Sequence, residues 1–182
     1  MILVIYAHPY PAHSRACAAL VAAIRDVEGV QVRSLYDLYP DFDIDGEAER
    51  AALESAQLIV WLHPFYWYGV PALLKHWLDV VLVKGWSHGN DGHALQGRDC
   101  LWVTTTGGDE NAFSEEGRHG HPFAAFEPPM RQTAKYCGMN WLAPMPVRGA
   151  HEVPVETLAA AGKALRERLD AWLAQKAGAA NA

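Results

Sequence analysis

Five short apolar runs, at 2–7, 30–36, 58–63, 100–105 and 140–147, alternate with longer stretches of helical character. This alternation constrains the fold more than any other feature of the chain. Runs such as Ile2-Leu3-Val4-Ile5 and Leu58-Ile59-Val60-Trp61 have no polar alternate position, so both faces of each strand must be covered. The intervening segments supply that cover as helices at about 14–28, 47–55, 71–83, 123–136 and 154–176, with Pro71 suited to a first helical position and Pro128-Pro129 breaking the fourth helix near its start. Right-handed crossovers then give an α/β three-layer sandwich: a five-stranded parallel sheet of order 2-1-3-4-5 with helices on both faces. One domain is expected over residues 1–176, followed by a short disordered tail at 177–182.

Composition narrows the function classes. The chain is 51% apolar and 20% charged, which fits a globular core, and its net charge of −6 offers no basic stripe for nucleic acid. Cys17, Cys100 and Cys137 are scattered without C-x-x-C spacing and read as small apolar residues in a reducing compartment, and no metal set is expected. No apolar stretch approaches the ~18 residues needed to span a bilayer, and the first run lacks a basic leader. A cytoplasmic protein is expected.

Three loops are unusual, and the strand order brings all three to one crevice. The first run stops at His8-Pro9 and leads to a helix entered at Ser14, an arrangement that offers unpaired N–H groups and a hydroxyl to an anion. The loop after the third strand carries Phe65-Tyr66-Trp67-Tyr68 between two prolines, an aromatic shelf whose exposure is costly unless a flat ligand or a partner covers it. The loop after the fourth strand, Thr105-Thr106-Gly107-Gly108, lets backbone approach a ring edge closely. A phosphate seat, an aromatic shelf and a glycine-rich clamp suit flavin mononucleotide. FAD suits them less well, and neither a G-x-G-x-x-G nor a P-loop motif is present.

With these loops the motifs Tyr6-Ala7-His8-Pro9, Leu38-Tyr39-Pro40-Asp41-Phe42-Asp43, His63 to Tyr68, Pro71 to Asp79 and Tyr136-Cys137-Gly138-Met139-Asn140-Trp141 form a set. On that set the chain resembles the flavodoxin-like NAD(P)H:quinone oxidoreductases, and among them the Kef-type ancillary proteins of glutathione-regulated potassium-efflux systems. The likeness runs from residue 1 to about 173. It implies FMN as cofactor, NAD(P)H as co-substrate, a quinone acceptor, ping-pong turnover, a homodimer, and docking on a potassium-efflux antiporter at the cytoplasmic face of the membrane. A purely regulatory flavin-binding subunit and an electron carrier are the alternatives. By position, the resemblance assigns phosphate and ribityl contacts to His8, Ser14, Arg15, Ala16 and Cys17, and ring contacts to Phe65, Tyr66, Trp67, Tyr68, Thr105, Thr106, Gly107 and Gly108. Cys17 stands where a polar residue is expected. A Tyr and a His in the loop after the fourth strand serve as proton donors in the larger quinone reductases; here His119 holds the His position, but Phe113 replaces the Tyr. His119 is therefore the candidate catalytic residue, with His121 as its substitute.

Overall fold

The computed structural model describes residues 1–180. Strand β1 (Ile2–Tyr6) is followed by α1 (Ala16–Ile24), β2 (Val30–Ser34), a single turn α2 (Leu35–Leu38), α3 (Gly46–Ser55), β3 (Leu58–Pro64), α4 (Ala72–Val81), β4 (Asp99–Thr105), α5 (Pro128–Tyr136), β5 (Asn140–Trp141), β6 (Met145–Val147) and α6 (Val155–Ala180). The sheet runs β2-β1-β3-β4-β5, every pairing is parallel, and β6 also pairs with β4. The expected order is thus the observed one.

Alternation along the strands builds two cores. Leu3 and Ile5, Ile59 and Trp61, and Cys100 and Trp102 face α4 and α5, while Ile2 and Val4, Leu58 and Val60, and Leu101 and Val103 face α1 and α6. A period of two on strands buried on both sides produces this division. At about 25 cal/mol per Å² of apolar area, burial of these large side chains is the main stabilising term. Polar anchors tie the layers. The Asp45 carboxylate caps α3 through the N–H groups of Glu47 and Ala48. Asp99 accepts from Trp172 Nε1 at 2.8 Å and pairs with Lys176 at 3.1 Å, pinning α6 to the start of β4.

Local chemistry moves several boundaries. α1 begins at Ala16, not Ser14, because Pro11–His13 form a 3-10 turn and Ser14 is extended. β2 stops at Ser34, where the chain turns into α2. The expected fifth strand is two pieces: Leu142 still donates to Cys100 O, but Pro144 has no N–H to continue the ladder until β6. Residues 123–126 are 3-10 helix ahead of the Pro128-Pro129 start of α5. Residues 177–180, read from sequence as part of a tail, continue α6, and 181–182 lie outside the described residues. Among the described residues no helix is long and apolar enough to cross a membrane.

Candidate functional site

The loops after β1, β3, β4 and β6 leave the same edge of the sheet and enclose a cleft with two arms. The narrow arm holds 340 Å³ and the wide arm 660 Å³, and they meet at Phe65, Tyr66, Thr106, Gly107 and His151. Every residue expected at the site from sequence, apart from the substitute donor His121, lines one arm or both.

The narrow arm is built on the start of α1. The backbone N–H groups of Arg15, Ala16 and Cys17 make no hydrogen bond among the described residues, and neither do those of Gly107 and Gly108 opposite them. Ser14 Oγ accepts the Ala18 N–H at 3.3 Å, so its hydroxyl proton stays free to donate elsewhere. His8 Nδ1 accepts from Tyr10 N–H at 3.1 Å, which leaves Nε2 as the donor nitrogen of a neutral ring. Burial lowers its pKa, keeping that form dominant at neutral pH. Cys17 is buried, its thiol 3.3 Å from Thr105 Oγ1 and pushed up to about 11 by burial. It lies beneath the arm as a neutral thiol, a placement that favours a backbone contact over a side-chain one.

Arg15 is engaged elsewhere. Its guanidinium donates to His151 O at 2.7 Å and to Val153 O at 3.1 Å, strapping the loop after β6 across the mouth of the narrow arm. That loop was not singled out in the sequence. It is held again by Gly149 N–H to Gly108 O and by Ala150 N–H to Thr106 O, at 2.9 and 2.8 Å. His151 packs so closely on Gly107 that a Cβ there would lie 3.0 Å from the ring. The signal was available in outline, since β6 ends beside β4 at the same edge and Gly149 follows it.

The wide arm is aromatic. Phe65 points inward and packs edge-on against Phe113, Phe123 and Phe126, whereas Trp67 is 94% exposed. His119 stacks on Phe113 with ring centroids 4.2 Å apart. Its Nδ1 lies 3.4 Å from the Tyr68 hydroxyl, and its Nε2 lies 2.9 Å from where a Cβ on Gly108 would be. His121 packs edge-on against Phe126 and lines neither arm.

The family model for the flavodoxin-like fold matches residues 1–173. The chain belongs to this flavodoxin-like family. It is 48% identical over 172 residues to a glutathione-regulated potassium-efflux system ancillary protein, KefF, of Citrobacter koseri, a match covering 94% of this chain and 97% of that one. Among solved structures, general stress protein 14 of Treponema denticola in complex with FMN superposes with a TM-score of 0.88 at 32% identity, over 93% of this chain and 98% of that one. An NADPH-quinone reductase from P. pentosaceus gives 0.83 at 27% identity, over 92% and 96%.

Proposed function

We propose that the chain is an FMN-dependent oxidoreductase that uses NAD(P)H to reduce quinones. The observation that carries this reading is the junction of the two arms, where unbonded N–H groups on one side meet an aromatic and glycine-lined slot on the other. The donor set fits a mononucleotide. Three N–H groups at a helix start, with the Ser14 hydroxyl and His8 Nε2, suit a phosphate, and the Gly107 and Gly108 N–H groups suit the polar edge of a flat ring. When bound, FMN would accept hydride from NAD(P)H and deliver two electrons to a quinone in ping-pong fashion.

The protein's own part is placement, exclusion of water and proton supply. Phe65 and Tyr66 wall the junction, and the Arg15 strap keeps the loop after β6 closed over it. His119 stands in the wide arm, where a nicotinamide or quinone would have to lie, and supplies a proton to the quinone oxygen. The FMN-bound and quinone-reductase neighbours support the reading. The KefF relative supports a further role as ancillary subunit of a glutathione-regulated potassium-efflux antiporter, which would bring the protein to the cytoplasmic face of the membrane.

The test is purification followed by visible absorption, acid release and chromatography of any flavin, and NAD(P)H oxidation with and without a soluble quinone. About one FMN per chain and quinone-dependent turnover are expected. FAD in its place would correct the cofactor, and a protein that takes up neither flavin would overturn the reading.

A further inference from the structure

Cofactor placement alone leaves one feature of the wide arm unaccounted for. Residues 66–69 form a two-residue hairpin turn: Tyr66 N–H donates to Gly69 O at 3.2 Å and Gly69 N–H to Tyr66 O at 2.9 Å. The central residues, Trp67 and Tyr68, have φ of 48° and 61°. Asn and Gly are the usual occupants of such positions, and a residue with a Cβ costs about 1–2 kcal/mol at each. Two aromatics held there mark a site where the structure uses the conformation. The turn directs Trp67 to solvent and carries Tyr68 over the wide arm. There the Tyr68 ring stacks on Phe126 with centroids 5.3 Å apart, and its hydroxyl meets His119 Nδ1 at 3.4 Å.

His119 is thus held on three sides, by Phe113 against its face, Gly108 at Nε2 and Tyr68 at Nδ1. Phe113 has no hydroxyl, and its neighbours Phe65, Phe123 and Phe126 make its niche apolar. We propose that Tyr68 is the positioning residue for His119: its hydroxyl donates to Nδ1, so the imidazole carries its own proton on Nε2, the nitrogen beside Gly108. This rests on the quinone-reductase reading. Reduction of a quinone to hydroquinone consumes two electrons and two protons, and hydride from NAD(P)H accounts for both electrons and one proton. The second proton leaves His119 Nε2 for the quinone oxygen as the Tyr68 hydroxyl proton moves to Nδ1. Water in the open arm then reprotonates Nε2 as Nδ1 gives its proton back to the Tyr68 oxygen, which restores the starting tautomer; Tyr68 is 53% exposed.

Tyr68→Phe removes the hydroxyl and keeps both the ring and the turn. In ¹⁵N spectra of the His119 ring, recorded on the flavin-free protein, the Nδ1 resonance should move downfield as it loses its donor. In FMN-loaded protein reoxidation by quinone should slow roughly tenfold, and by more than flavin bleaching by NAD(P)H, which takes no proton from His119. Tyr68→Phe combined with His119→Gln should be no slower than His119→Gln alone. An unchanged Nδ1 resonance, or a variant reoxidised by quinone as fast as wild type, would overturn the proposal. A wild type that reduces no quinone, yet shows the Nδ1 shift on substitution, would sink the functional reading while upholding the pairing.

Discussion

His63 sits wholly inside the protein at the end of β3, accepting the Trp102 Nε1–H at Nε2 (2.8 Å) while Nδ1 donates to Pro64 O (2.9 Å). Burial lowers its pKa from 6.5 to about 4. The unfolded chain therefore binds a proton more readily than the folded one between those values. Its contribution is complete above about pH 6.5, is lost as pH falls, and levels off below about 4. Urea unfolding should give a stability about 2 kcal/mol lower at pH 5 than at pH 7, with His8 adding in the same direction, and the difference should shrink in His63→Gln. In the wide arm, His119→Gln should keep FMN and slow quinone reduction about tenfold or more in steady-state assays. Phe113→Tyr should not speed it. The new hydroxyl would enter a niche walled by Phe65, Phe123 and Phe126, and thermal unfolding should register a loss of about 1–3 kcal/mol for the buried, unbonded group.

Elements are held in place by a few polar groups that join them. Glu49 of α3 is fully buried and accepts from Arg33 of β2, from the Tyr39 hydroxyl at 2.6 Å and from Trp77 Nε1 of α4 at 2.9 Å. Glu49→Ala would leave the partly buried Arg33 charge and two donors without an acceptor, and chemical denaturation should show a loss of about 3–5 kcal/mol. The Arg15 strap does similar work between α1 and the loop after β6. Arg15→Ala should weaken FMN binding about tenfold, equivalent to about 1.4 kcal/mol, as read by flavin fluorescence titration. Arg15→Lys should recover only part, because one ammonium cannot reproduce a fork reaching the carbonyls of both His151 and Val153.

At the scale of the whole molecule, nothing among the described residues covers the exposed side of the 66–69 turn. Trp67 projects into solvent beside Tyr10, Phe42 and Val70 around a 580 Å³ hollow with a mainly apolar lining. An apolar patch of this kind, next to the wide arm, suits a second copy of the chain related by a two-fold axis. Sedimentation at micromolar concentration should give a species of about twice 20.1 kDa, and Trp67→Asp should shift it towards monomer. A monomeric wild type with full FMN content and activity would contradict this.

The sequence by itself determined the sheet order, the two faces of the core and the three loops at one crevice. Period, strand length and parallel connection depend on local residue character, and that character is written in order along the chain. The places of His8, Ser14 and the 105–108 glycine loop along the chain were legible for the same reason, because each stands near a strand end or a helix start. Where α1 begins and where β5 gives way to β6 depended on local turns and on Pro144, so those boundaries moved by a few residues. Only the tertiary structure could bring Arg15 to carbonyls well over a hundred positions away, or lay His151 on Gly107. It likewise put the Tyr68 hydroxyl, from one loop, on the imidazole of His119 in another. Such meetings are fixed by strand order, backbone handedness at 67 and 68, and close packing, none of which has a periodic signature along the chain.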